Sequence, residues 1–300
     1  GRISINVSSS ATFDRPLLTP KIQNVYGATV DPTAETLSVD SWGKKLSDLT
    51  ADELNYSGAK LRNTASNDDV NDFFRTGATF NNSISVSGGT ETVRTYFSYA
   101  NSYSDGMMRN NNYKRNTLSF RQSYSLFNKK LNVDLSLNYV QAKTKNRPGG
   151  GTVMNPLYDL YRMPRNVDLN YYKENYYIEN GKWTSNEQSY FDSKNNKWTT
   201  GTVELTGPKQ EWAYWQNGMN NPYWMVNTRN SISEEERAYG YISANYQIID
   251  GLKIQGRLSL DRTKMKGTSE RMATTWNISA MEDYGMYGQD LNWINEVYVD

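Results

Sequence analysis

Leu131-Asn132-Val133-Asp134-Leu135-Ser136-Leu137-Asn138-Tyr139 alternates apolar and polar residues without a break. Side chains alternate faces along a strand, so this stretch predicts a strand with one apolar and one polar face. The pattern recurs on either side of it. Leu252, Ile254, Leu258 and Leu260 are interleaved with Lys253, Gln255, Arg257, Ser259 and Asp261. Ile3, Ile5, Val7, Ala11 and Phe13 are interleaved with Arg2, Ser4, Asn6, Ser8, Ser10 and Thr12. Fainter copies run through Phe80, Ile84 and Val86, through Val93, Phe97, Tyr99 and Tyr103, through Leu118, Phe120, Tyr124 and Leu126, and through Ile242, Ala244, Tyr246 and Ile248. About seven strands follow, near 2–13, 79–87, 93–103, 114–126, 131–142, 237–248 and 252–263. Several approach the ~9–11 residues that a tilted membrane strand requires.

The expected connections alternate in length. Short turns rich in Gly, Asn and Asp lie at Gly88-Gly89-Thr90-Glu91-Thr92, Phe127-Asn128-Lys129-Lys130 and Ile249-Asp250-Gly251. Long connections cover 14–78, 143–236 and 264 onward, with a shorter one at 104–113. Short turns on one rim and long loops on the other are the plan of outer-membrane barrels. If 2–13 runs outward, every short turn falls on the periplasmic side. The polar positions Arg94, Arg115, Arg121, Asp134, Arg257 and Asp261 would then face a wet lumen. Tyr99, Tyr103, Tyr124, Tyr139 and Tyr246 fall toward strand ends, where aromatic girdles meet headgroups. A β-sandwich with one solvated face permits the same alternation, so pattern alone leaves both folds open.

Composition narrows the function. The chain has 300 residues, 33 Lys+Arg, 32 Asp+Glu, no His and no Cys, for a net charge of +1. Leu, Ile, Val and Phe make up about 18% of it, a fraction otherwise associated with disorder. Disorder also wants high net charge and few aromatics, whereas 13% of these residues are aromatic. Without His there is no Ser-His-Asp triad and no imidazole metal site. Without Cys there is no thiol nucleophile, disulfide or thiolate metal site. Near-zero charge argues against a nucleic-acid partner, which calls for a basic face. No run of about 18 apolar residues predicts a transmembrane helix. Both ends look cut through structure, so the expectation is a segment of a longer protein.

Residues 72–121 carry a recognisable run. Asp72-Phe73-Phe74-Arg75-Thr76-Gly77 leads into Asn82-Ser83-Ile84-Ser85-Val86-Ser87-Gly88-Gly89. Thr95-Tyr96-Phe97-Ser98-Tyr99, Asp105-Gly106 and Tyr113-Lys114-Arg115-Asn116-Thr117 follow. Together they resemble the early barrel of the SusC/RagA family, TonB-dependent outer-membrane transporters of Bacteroidetes. Asn155-Pro156-Leu157-Tyr158, Arg162-Met163-Pro164, Asn221-Pro222-Tyr223-Trp224 and Gly251-Leu252-Lys253 before Arg257 extend the likeness over most of the chain. Tyr99-Ala100-Asn101 departs from it, where members often carry a Gly-Tyr pair.

The resemblance implies an all-β fold, the N-terminal part of a 22-stranded antiparallel transmembrane barrel with long extracellular loops. Its plug domain and TonB box would lie upstream of Gly1. It implies import of glycans, oligosaccharides or peptides without chemistry on them, with TonB, a SusD-like surface lipoprotein and outer-membrane lipid as partners. No cofactor is implied. A soluble or surface-attached β-sandwich that binds glycans or serves adhesion is the alternative from another class, and a passive porin is a third.

The loops hold the candidate contact residues. Trp183, Trp198, Trp212, Trp215, Trp224, Tyr214 and Tyr223 fall in 143–236, with further tyrosines at 171, 172, 176, 177 and 190. Flat rings suit sugar stacking and protein interfaces, and they equally suit packing of a large loop short of aliphatics. Thr50-Ala51-Asp52-Glu53 has capping-box spacing, and Asn155-Pro156 starts a helix that stops at Pro164. Asp68, Asp69 and Asp72 offer hard oxygens for Ca²⁺, but acidic residues at a helix start are the simpler account, so no metal site is expected. Gly149-Gly150-Gly151 follows a strand end and lacks the Lys of a phosphate loop. Glu234-Glu235-Glu236 reads as a solvated loop end before a strand. Nothing places two carboxylates across a shared cleft as glycoside hydrolysis requires, so no enzyme activity is expected.

Overall fold

A computed structural model describes residues 2–17, 19–31, 36–65, 67–152, 154–214, 218–277, 280–281 and 283–300. For residues 31, 36, 57, 67–69, 186–188, 190, 280 and 281 only the backbone is described. The strands are β1 (Ser4–Asp14), β2 (Val30–Asp31), β3 (Thr36–Leu37), β4 (Gly77–Gly89), β5 (Val93–Asp105), β6 (Asn112–Leu126) and β7 (Leu131–Lys145). They continue with β8 (Tyr177–Asp192), β9 (Lys197–Gln210), β10 (Asn230–Ile249), β11 (Leu252–Arg271), β12 (Trp276–Asn277), β13 (Ala280–Met281) and β14 (Met286–Val299). Five short helices lie between strands: α1 (Ala51–Leu54), α2 (Asn67–Asp72), α3 (Pro156–Arg162), α4 (Leu169–Glu174) and α5 (Pro222–Thr228).

Eight long strands make one sheet in the order β1-β4-β5-β6-β7-β10-β11-β14, each pairing antiparallel with the next. The register carries the apolar residues across it as a continuous belt. Leu137 lies opposite Phe120 on one side and Gly240 on the other, and Gly240 lies opposite Leu260, which faces Val297. In the other direction Phe120 lies opposite Phe97, Phe97 opposite Val86, and Val86 opposite Ile5.

Burial across the sheet is inverted relative to a water-soluble sheet. Leu137, Ile242 and Leu260 are 52%, 48% and 53% exposed, whereas Ser136 and Ser243 on the polar face are 4% and 7% exposed. Polar side chains tie that crowded face together. Ser119 donates to Asn138, Ser123 to Asp134 and Ser125 to Asn132, at 2.6–2.9 Å. Arg237 pairs with Asp261 across β10 and β11. Small hydroxyls and bridged amides of this kind fit the inside of a curved sheet, with the apolar face outermost.

The connections obey strict parity. Turns at 90–92, 127–130 and 250–251 share one rim, and the connections 15–76, 106–111, 146–229 and 272–285 share the other. Phe127, Asn128 and Lys129 turn with φ of 52°, 52° and 70°. Gly89 turns at φ 151°, where a Cβ would meet the Val93 carbonyl oxygen at 2.1 Å. Only glycine fits that approach.

Three sequence expectations are corrected here. The stretch from 264 onward is mostly strand: β11 runs on to Arg271 and β14 adds an eighth long strand. Residues 143–236 include a long hairpin, β8 with β9, as well as α3, α4 and α5. Glu234-Glu235-Glu236 lies inside β10, paired with both β7 and β11. In β10 and β11 polar residues prolong the strand past the apolar belt, so the alternation stops before the strand does.

The main apolar core lies outside the sheet, in the long connections. Ala28, Leu61, Phe73, Leu160, Val167, Leu169 and Tyr172 cluster there with Trp212, Tyr214, Met219 and Tyr223. The capping box at Thr50 and Glu53 is formed at α1. Asn155 caps α3 by accepting from Leu157 N at 3.1 Å, with Pro156 at the first turn. Asn221 repeats the arrangement on α5, accepting from Tyr223 N at 2.8 Å. Asn146 clamps this layer to the sheet. Its side chain accepts from Ser231 N at 2.8 Å and donates to the carbonyls of Asn110 and Arg229 at 3.2 and 2.9 Å.

Candidate functional site

The rim that carries the long connections holds most of the candidate contact residues. Trp212 packs on Tyr172 with ring centroids 4.9 Å apart, and Tyr214 lies 6.1 Å from Trp212. Tyr223 meets Phe73 at 5.2 Å. Edge-to-face pairs of this sort add about 0.5–1.5 kcal/mol each beyond area burial. Trp212, Tyr214, Tyr223 and Trp224 are all buried, and Trp224 Nε1 donates to Thr275 Oγ1 at 2.9 Å. Trp212 and Tyr214 face one another, and Tyr223 faces Phe73.

Trp183 is buried at the root of the β8–β9 hairpin, where its Nε1 donates to the Asp283 carbonyl at 3.0 Å. Ser185 Oγ donates to the Asp283 carboxylate at 2.6 Å beside it. Trp198 stands apart. It lies near the hairpin tip, 72% exposed, against Phe191 at 5.9 Å. Trp215 and the side chain of Tyr190 lie outside the described residues.

A buried polar network holds the hairpin root, and no periodic pattern in the sequence marks it. Gln210 Nε2 donates to Asn220 Oδ1 at 3.1 Å and to the Thr274 carbonyl, and Gln210 Oε1 accepts from Asn221 N at 2.9 Å. Asn221 Nδ2 donates to the carbonyls of Tyr172 and Glu211 at 3.1 and 2.9 Å. Asn220 N donates to Asp159 Oδ2 at 3.2 Å. Burial pushes the Asp159 carboxyl up to about 7, against the pull of the Asn220 backbone amide and of Arg162. Burial also raises Glu211, opposed by Lys209 and Lys60. A satisfied buried network rigidifies its surroundings, so the hairpin rises from a fixed base.

The polar face of the sheet is a second candidate surface. Arg257 stacks over Tyr241 at 4.0 Å and Arg237 over Tyr239 at 4.8 Å. Such an amphipathic wall suits contact with hydrated polar solutes. Among the described residues no group of three or more Asp or Glu is placed to hold a metal ion. The side chains of Asp68 and Asp69 lie outside the described set.

No family model matches the chain, and no curated protein matches it. Solved structures do. The RagAB peptide importer in its closed-closed state matches with a TM-score of 0.59 at 18% identity, over 99% of this chain. The chain shares its fold with RagAB. The open-open state of RagAB matches with a TM-score of 0.57, also at 18% identity. In both cases this chain spans 31% of the length of the RagAB chain it matches. At that identity the likeness to RagAB is one of fold, an all-β antiparallel architecture.

Proposed function

We propose that this chain supplies part of the barrel wall and the outer loops of a TonB-dependent nutrient importer in the bacterial outer membrane. The cargo is a large polar nutrient, a glycan, an oligosaccharide or a peptide, and it crosses without chemical change. The observation that carries this reading is the inverted burial of the sheet, with an exposed apolar belt on one face and bridged polar side chains on the other. Such a sheet matches lipid outside and water inside. The parity of short turns and long connections supports it, as does the shared fold with a peptide importer.

Partners follow from the same reading. A SusD-like lipoprotein would sit on the loop layer, with Trp198 and the β8–β9 hairpin as contact arm, and TonB would act through parts outside this chain. A β-sandwich would instead need a second sheet over the belt. Among the described residues the belt residues Leu137, Ile242, Leu258 and Leu260 stay open.

Fractionation of cells expressing the full-length protein tests the proposal. The expected outcome is recovery in the outer-membrane fraction, extraction only with detergent, and co-purification with a surface lipoprotein. A protein that stays soluble and monodisperse without detergent would overturn it in favour of the sandwich.

A further inference from the structure

Above the apolar belt, on the same face of the sheet, the character of the side chains changes abruptly. The register builds successive rows toward the long-loop rim. Leu118, Tyr139 and Ala238 lie side by side, and Arg262 extends their row. Asn116, Gln141, Glu236 and Lys264 form the next row, and Lys114, Lys143, Glu234 and Lys266 the one after. These two rows line one shallow cleft of about 340 Å³. At the opposite rim the same face ends on Leu126, Leu131, Tyr246 and Ile254.

Four lysines thus converge against two glutamates. Lys143 pairs with Glu234 at 2.7 Å, and both side chains remain open to the outside at 48% and 38% exposure. Aromatic rings flank the cluster on both sides. Lys114 Nζ lies 5.3 Å from the Tyr103 ring, and Lys264 Nζ and Arg262 lie 5.2 and 4.8 Å from Trp293. Four residues of strand separate Tyr139 from Lys143. At ~3.3 Å rise and ~40° tilt the Lys143 row stands about 10 Å above the Tyr139 row, level with Tyr103 opposite Lys114. That is headgroup depth.

We propose that this shelf binds the phosphate groups of an outer-leaflet glycolipid lying against the barrel. The inference rests on the importer reading, because that reading sets which rim faces outward. Charge selects a polyanion, and lysine suits phosphate as a compact point charge with three donors. Position selects lipid over soluble ligand. The shelf is on the belt side of the sheet, directly above the apolar residues, and not on the face that would line a lumen. Glu234 holds the Lys143 ammonium in place, so this part of the site stays formed without its ligand.

The test uses the full-length protein in detergent micelles, with bisphosphorylated lipid A, its dephosphorylated form and inorganic phosphate as probes, read by native mass spectrometry and by the shift of the melting temperature. Wild type should retain lipid A and melt higher with it, and respond to neither of the other two. The quadruple variant Lys114→Gln, Lys143→Gln, Lys264→Gln and Lys266→Gln should bind lipid A at least tenfold more weakly. Its melting temperature without lipid should stay unchanged. Arg121→Gln with Arg257→Gln, on the polar face, should bind as wild type. Equal binding of lipid A and its dephosphorylated form, or no loss in the quadruple variant, overturns the proposal. A response to inorganic phosphate equal to that for lipid A overturns it in favour of a free-anion site. If the protein needs no detergent at all, the importer reading fails first.

Discussion

The sheet and the loop layer solve opposite problems with the same residue types. In the sheet, Leu137, Leu258 and Leu260 point outward and Ser136 and Ser243 are shielded. In the loop layer, Leu160, Leu169, Tyr172 and Trp212 are buried, as in any water-soluble domain, with Asp159 and Arg165 buried among them. Hydrophobic burial therefore holds the loops together by itself, at roughly 25 cal/mol per Å² of apolar surface. The sheet leaves its apolar belt open, so its ladder of backbone hydrogen bonds holds it, together with lipid on the importer reading proposed above. Each region should respond to substitution in its own way.

The largest effect is expected at Trp212→Ala. Truncating a buried tryptophan removes about 3–5 kcal/mol, here from the contacts with Tyr172 and Tyr214. Hydrogen exchange should accelerate across α4 and α5 and stay unchanged in β4 to β7. A uniform rise over both regions would erase the distinction between them. Leu258→Arg comes next, with a loss of about 2–4 kcal/mol at mid-belt in a bilayer. Ser259→Arg, one residue along and on the other face, should be far milder. Equilibrium folding into lipid vesicles over a urea series separates the two, and equal losses would deny that the faces differ.

A pH effect of intermediate size should be confined to the loop layer. Burial raises the Asp159 carboxyl from 3.8 to about 7 in the folded chain. The folded state holds the proton more tightly, so the associated stability is full below about pH 4 and declines as pH rises through 7. The slope is at most about 1.4 kcal/mol per pH unit. Asp159→Asn should flatten it, as measured by exchange of the α3 amides between pH 5 and 8. The smallest expected change in stability is at Trp198→Ala, within about 0.5 kcal/mol for so exposed a side chain. Its effect should appear in recovery of the lipoprotein partner, and unchanged recovery would remove the hairpin tip from the contact surface.

The two regions also differ in how much of them the sequence discloses. Strand β7 is legible from Leu131 to Tyr139 because one face is apolar and the other polar. Where that contrast ends, so does the signal. Lys143 and Lys145, or Glu234 to Glu236, extend strands with no apolar partner position to mark the period. In β14 the register puts Leu291, Trp293 and Val297 on one face and Ile294 and Tyr298 on the other, so no alternation survives. The β8–β9 hairpin has Thr and Lys on both faces for long stretches. In the loop layer, local rules were enough for the Thr50 box and the Asn155 cap. The Gln210 network joins residues far apart in the chain, through contacts that no local pattern encodes.

Asn146 adds an evolutionary consequence. Two of its three side-chain hydrogen bonds bring the end of β7 against Arg229 and Ser231, so both ends of the excursion 147–228 meet at one residue. Closing a loop costs only about 0.6 kcal/mol more for each doubling of its length. With the ends fixed, the wall is insulated from whatever lies between them. The excursion behaves as a cassette: insertions, deletions or wholesale exchange within it can remake the loop layer while the strands below keep their pairing.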